Sequence, residues 1–230
     1  MTIKNLIIGL LLVSAISLNA QVTKNMYGFK SGHVEYELTG TTTGTKSLWW
    51  DDYGAKSRTE TNAITVIKMF GMKNETTTNT VSIINGDNLW FVNLDENTGQ
   101  ESSLTSTYGY SEINDMTEAE KEQFANQIID SLGGERLGTE KILGCDCEII
   151  SMLGTKGWHC KGVVLKIEVD AMGIVANEKA TSFEKNINIS ASKFEKILGI
   201  TYSNNEKNMK MMQQLMEGGY EDDDEYEDYE

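Results

Sequence analysis

The chain has 230 residues, 39% hydrophobic and 24% charged, with a formal charge of −15, no proline and three cysteines. That length can bury a core in one large or two small domains. The acidity excludes a nucleic-acid backbone or an anionic membrane surface as a natural partner, because each needs a basic footprint.

The N-terminus has the layout of a secretory signal: Lys4 as the positive flank, an apolar run from Leu6 to Ile16 too short to span a bilayer, and Leu18-Asn19-Ala20 before Gln21. No later stretch is apolar enough to cross a membrane. Export to the periplasm or the extracellular space follows as the expected localisation. Residues 21–30 read as a polar lead-in.

Gly32 to Glu60 is the first strong fold signal. Val34, Tyr36 and Leu38 alternate with Glu35, Glu37 and Thr39, the period of a strand with one buried face. A second alternating run ends at Leu48 and Trp50. A three-residue loop, Thr42-Thr43-Gly44, would pair Thr41 with Thr45, Leu38 with Leu48 and Tyr36 with Trp50. Trp49 and Asp51 would then face outward. A third strand is expected over Ala55–Thr61, and a further strand or irregular crossing over Ile64–Met72.

Thr76–Leu94 reads as a second hairpin turning at Gly86-Asp87, with Asn85 opposite Asn88, Ile83 opposite Trp90 and Val81 opposite Val92. A weaker polar strand follows over Gln100–Thr107. The period then changes. Thr117 with Glu120 forms a capping box, Gly133 stops the helix, and Phe124, Ile128 and Leu132 form its apolar stripe, widened by Ala125 and Ile129. That stripe must lie on something apolar, and the sheet is the only large candidate.

Strands resume after Gly138 and are divided by short glycine turns, as in a meandering antiparallel sheet. Ser190–Tyr202 is a transition with Phe194, Ile197 and Leu198 as expected core contacts. The expected organisation is a signal peptide over 1–20, one mainly β (α+β) domain over 21–203, a C-terminal helix over 204–217, and an acidic tail over 218–230. Nine acids and no base fall in the last 14 residues, so the tail should stay disordered.

Three stretches together carry a resemblance. They are GHVEYELTG with GTKSLWWDDYGAKSRTET (32–40 and 44–61), GTEKILGCDCEIISMLGTKGWHCKGVVLKIEV (138–169) and INISASKF (187–194). The most specific part is the strand, turn and aromatic-Asp-x-Tyr-Gly pattern, followed by the Gly-x-x-x-x-Leu-Gly-x-x-Cys run ending at Cys147. These stretches resemble a family of exported proteins of unknown function, common in Bacteroidetes, whose domain looks like the lipoprotein-carrier (LolA/LolB-like) superfamily. The resemblance implies a strongly curved antiparallel sheet, an unclosed barrel, with a helix laid in its concave face. In the carriers that concavity takes lipoprotein acyl chains through a dispersed apolar lining, so no catalytic set is implied. The chain departs from the carriers in having no proline and in its acidic tail.

On this reading Tyr36, Leu38, Leu48, Trp50, Trp90, Phe124, Ile128 and Leu132 are the candidate apolar lining. As plain core residues they would need no further explanation. Among the cysteines a Cys147–Cys160 disulfide is expected, with Cys145 left as a free or buried thiol. Three unpaired thiols, or a zinc or copper(I) site drawing on Cys145 and His159, are the alternatives. Met209, Met211, Met212 and Met216 have copper-ligating chemistry but ordinary helix spacing. Neither His33 nor His159 stands in a nucleophile motif, and no glycine loop cradles phosphate. The expectation is a non-enzymatic binding protein with no cofactor. It is expected to be a monomer, with a lipid, lipoprotein acyl chain or envelope protein as partner. A packed structural or interaction protein and a copper or zinc binder are the rival readings.

Overall fold

The computed structural model describes residues 26–69, 72–105, 116–171 and 174–204. The expected signal peptide, the acidic tail and the 204–217 helix with its methionines lie outside the described residues, apart from Asn204, which ends a strand.

Twelve strands form one sheet. They are β1 (Gly32–Gly40), β2 (Thr42–Asp51), β3 (Lys56–Met69), β4 (Met72–Asn85), β5 (Asn88–Asn93), β6 (Thr98–Ser103), β7 (Glu135–Ile142), β8 (Cys145–Met152), β9 (Thr155–Cys160), β10 (Val163–Ala171), β11 (Ile174–Lys185) and β12 (Thr201–Asn204). Their spatial order is β12-β6-β5-β4-β3-β2-β1-β11-β10-β9-β8-β7. All pairs are antiparallel except β12 with β6. The sheet is strongly curved and does not close into a barrel. The expected fold class therefore holds.

Two connections must cross the sheet, and each is explained by the strand order. The chain leaves β6 near one edge and re-enters at β7, the other edge, ten strands away. That is about 48 Å measured along the sheet at ordinary strand spacing. The helix α1 (Glu118–Ser131) lies in this connection. The second crossing, residues 186–200, runs from β11 to β12 and contains a short 3-10 turn, Ala191–Phe194.

The second hairpin has the expected register, Asn85 opposite Asn88, Ile83 opposite Trp90 and Val81 opposite Val92. The first does not. Tyr36 pairs with Lys46 rather than Trp50, Val34 with Leu48 and Gly32 with Trp50, so β2 is displaced by four residues from the expected pairing. An even displacement keeps every side chain on its face, which is why the apolar pattern cannot detect it. The cause is glycine placement. Gly44 lies inside β2 rather than in the loop, and a Cβ there would stand 2.1 Å from the Asn62 carbonyl oxygen. The chain turns instead around Gly40, at φ +96°, with Thr41 donating its N–H to Val175 O at 2.7 Å. Of the two segments expected over 55–61 and 64–72, residues 56–69 are one strand, β3, paired with β4 over its whole length, and Met72 already belongs to β4.

The capping box forms as expected, with Glu120 N–H donating to Thr117 Oγ1 and Thr117 N–H to Glu120 Oε2. The packing of α1 uses one margin of the expected stripe. Ile129 is the buried residue, against Gly134 at the Met152 end of β8, and Arg136 donates to Asn126 Oδ1. Phe124, five residues earlier, is about 140° round the helix from Ile129 at 3.6 residues per turn. Phe124 is 36% exposed and Leu132 39%. The helix is fixed by its C-terminal end because Gly133-Gly134 leads at once into β7, and this sets which side meets the sheet.

Candidate functional site

Strand pairing assigns the residues to two faces. One face, called inner because it carries Val34 and Tyr36 of the larger core cluster, also has Leu38. The other, outer face carries His33, Trp49 and Arg58 and meets Lys193. Inner-face residues form rows across the sheet. One row runs Thr78, Ala63, Gly44, Leu38, Glu178, Ile167, Gly157 and Ile150. It passes from a hydroxyl-bearing half to an apolar half. On β3 the inward residues are Ser57, Thr59, Thr61, Ala63 and Thr65, and opposite them on β4 stand Ile84, Ser82, Thr80, Thr78 and Thr76. Leu38, Leu165, Ile167 and Ile150 make the apolar half, and all four are buried.

A charged pair stands where the halves meet. Lys46 Nζ donates to Glu178 Oε1 at 2.6 Å and lies 4.8 Å above the Tyr36 ring. The side chains are 19% and 9% exposed. The Tyr36 hydroxyl donates to Val164 O at 2.9 Å. Its pKa is pushed well above the ordinary range, first by burial and then by the Glu178 charge, so it stays a neutral donor.

One end of the inner face is full. Val34, Trp50, Leu165 and Ala180 pack with Tyr27, and Trp50 Nε1 donates to Phe29 O at 3.0 Å. Of the expected lining, Tyr36, Leu48 and Trp50 belong to this cluster. Leu38 is buried next to Glu178 in the row pairing. Trp90 lies on the outer face in a second cluster with Val81, Ile83 and Val92, because its partner Ile83 is two residues from Val81 on β4 and shares its face. Phe124, Ile128 and Leu132 belong to neither cluster. The eight residues thus stand in three places. Sequence reading misses Lys46, Glu178 and the threonine rows. The threonines are legible as an alternation of hydroxyl residues; the ion pair joins positions 132 apart and leaves no local trace.

The cysteine expectation is corrected. The bridge joins Cys145 to Cys160, with Cα atoms 6.2 Å apart, and Cys147 is the free, buried thiol. Cys145 and Cys147 are two apart on β8 and share a face, so spacing alone cannot choose between them. The observed separation lies in the bridging range. Cys147 Sγ donates to Cys145 O at 3.5 Å, and burial pushes its thiol pKa up. With Cys145 in a disulfide it offers no thiolate to a metal. Among the described residues no three His, Cys, Asp or Glu side chains come together. His159 is buried with Nδ1 unpartnered among the described residues. Burial lowers its pKa to about 4, opposed by Glu148 and assisted by Arg136.

The outer face is crossed by the 186–200 connection. Glu184, His33, Trp49, Arg58, Ile83, Trp90 and Glu101 are successive partners across seven strands. The His33 and Trp49 rings stack at 4.6 Å, Lys193 Nζ sits 3.5 Å over Trp49, and Arg58 donates to Lys193 O. Phe194 is fully buried, with Ile197, Ile200 and Tyr202 packed on the second cluster. Leu198, an expected core contact, is 92% exposed in a turn. Two polar grooves of about 520 and 560 Å³ flank residues 187–189. The Trp49 ring is thus engaged by both His33 and Lys193.

No protein-family model matches the chain, and no curated protein matches it. Among solved structures it is similar to an uncharacterized conserved protein from Thermus thermophilus, at 8% identity over 85% of this chain and 98% of that one, with a TM-score of 0.47. It is also similar to MucB, at 8% identity over 82% and 65% of the two chains with a TM-score of 0.40. A third likeness is to LprF from Mycobacterium bovis, at 11% identity over 77% and 96% with a TM-score of 0.33. Likenesses of this degree bring no ligand and no activity to the chain.

Proposed function

We propose that this chain is an exported, non-catalytic binding protein that holds an apolar ligand between α1 and the inner face of its curved sheet. The observation that carries the reading is the state of α1. It is capped, anchored at one end through Ile129 and placed in the connection between the two edges of the sheet, yet Phe124 and Leu132 of its stripe stay exposed. Apolar surface left open beside a curved sheet is a ligand site in waiting. Movement of α1 about its Gly133-Gly134 end would admit the ligand, and the ligand would be held by burying Phe124 and Leu132. The signal-like N-terminus and the Cys145–Cys160 bridge support export to an oxidising compartment. The sequence resemblance to the lipoprotein-carrier superfamily agrees with this reading.

Titration with the dye N-phenyl-1-naphthylamine tests it. The wild type should give saturable fluorescence enhancement near one dye per chain. Phe124→Glu with Leu132→Glu should weaken it about tenfold, the scale of two lost apolar contacts. A linear, unsaturated response would contradict the reading. That result would favour the rival, an interaction protein with a packed interior, which the filled Trp50 end of the inner face suggests. The exposed stripe of α1 would then be its partner surface.

A further inference from the structure

The inner face specifies the kind of molecule as well as the place. Half of it presents hydroxyls and half presents hydrocarbon, with Lys46 and Glu178 at the boundary. A face built only for a hydrocarbon chain would have no use for either feature. Replacing a buried ion pair by apolar residues of similar volume is commonly neutral or stabilising, so the pair calls for a role.

The Lys46 ammonium has three N–H donors. One goes to Glu178 Oε1, and the Tyr36 ring lies beneath the ammonium. Among the described residues it has no second acceptor, so it can donate to a ligand. Glu178 decides which ligand. A free carboxylate bound to Lys46 would place a second negative charge beside a carboxylate that is nine-tenths buried, and like charges so close disfavour each other. An uncharged carbonyl accepts the same hydrogen bond without that repulsion. Thr61 and Thr80, cross-strand neighbours in the row that includes Lys46 and Tyr36, can donate to or accept from further hydroxyls.

We infer that the ligand is a neutral amphiphile, an acyl chain ending in an ester or amide carbonyl with hydroxyls beyond it. Its carbonyl accepts from Lys46, its hydroxyls meet the threonine half, and its chain lies on Leu38, Ile167 and Ile150. This rests on the inner-face binding reading, which it extends to a ligand class.

Displacement of N-phenyl-1-naphthylamine by monolauroylglycerol, laurate and dodecane tests it, since the three share a twelve-carbon chain and differ in the head. Monolauroylglycerol should displace the dye at about a tenfold lower concentration than either of the others, the scale of one or two hydrogen bonds in a dry site. Lys46→Met with Glu178→Leu removes both charges and leaves no unpaired ion, so the fold is kept. In that variant the preference for monolauroylglycerol over dodecane should fall several-fold. Thr61→Val with Thr80→Val should lower monolauroylglycerol affinity relative to that of dodecane. Dye binding by the wild type with laurate or dodecane equal to monolauroylglycerol overturns the inference and leaves the binding reading standing. So does a double-charge variant with unchanged preference. Absence of saturable dye binding overturns the binding reading, and the inference with it.

Discussion

His159 shows how one buried side chain sets a condition on the whole protein. Its folded pKa of about 4 lies below the ordinary 6.5 because burial disfavours the imidazolium. The unfolded chain takes up the proton first as pH falls, so the stability tied to neutral His159 is complete above pH 6.5 and is lost towards pH 4. The span corresponds to roughly 3 kcal/mol. Urea unfolding of the wild type should therefore show a lower midpoint at about pH 4.5 than at about pH 7. His159→Leu should flatten that difference, and an equally steep loss in the variant would rule His159 out as its source. No sequence signal marks this residue, since His-Cys in a strand looks alike whether the ring is buried or exposed. The same holds for Cys145 and Cys147. Strand periodicity puts them on one face but cannot say which of them bridges Cys160. The β8–β9 register, with Glu148 opposite His159, points to Cys147, yet the bridge goes to Cys145 two residues away. Lys46 and Glu178 lie further still beyond sequence reading, since their meeting depends on β1 standing between β2 and β11.

At the scale of elements, what is legible follows from local chemistry. The Gly86-Asp87 turn and the Thr117 cap each rest on residues a few positions apart, and both form where expected. The first hairpin differs in register because Gly44 has the sequence context of a turn glycine without being one. Gly44 is there for the close approach of β3, and the bend belongs to Gly40. Gly44→Val should therefore be costly although valine favours strands. The added side chain meets the backbone of Asn62 and Ala63, and overpacking of this kind costs about 1–3 kcal/mol. A thermal melt should show a midpoint several degrees lower, while an unchanged midpoint would mean that β2 and β3 are not held so closely. The α1 stripe is amphipathic as expected, and its Ile129 margin is buried while Phe124 and Leu132 stay exposed. Periodicity identifies an apolar side without naming its partner, and here the end that meets the sheet is the one with buried Ile129 and with Asn126, which accepts from Arg136 on β7. The threonine alternation on β3 and β4 is visible in the sequence, yet apolar periodicity is blind to a face made of hydroxyls.

At the scale of the molecule, the strand order accounts for the division of labour between the faces. Two connections cross the sheet, since each joins strands that are far apart in it. The 186–200 crossing seals the outer face with Phe194, Ile197 and Ile200, and ion pairs from Lys193 and Lys196 hold it. The crossing that contains α1 leaves apolar side chains open. Binding on the inner face is therefore the central claim, and methyl NMR with a spin-labelled neutral lipid measures it directly. A doxyl-stearate methyl ester added to protein with labelled Leu, Ile, Val and Thr methyls should broaden Leu38, Ile167, Thr61 and Thr78. Val81, Ile83 and Val92, on the outer face, should stay sharp. Broadening of the outer set, or of neither set at saturating lipid, would contradict the account.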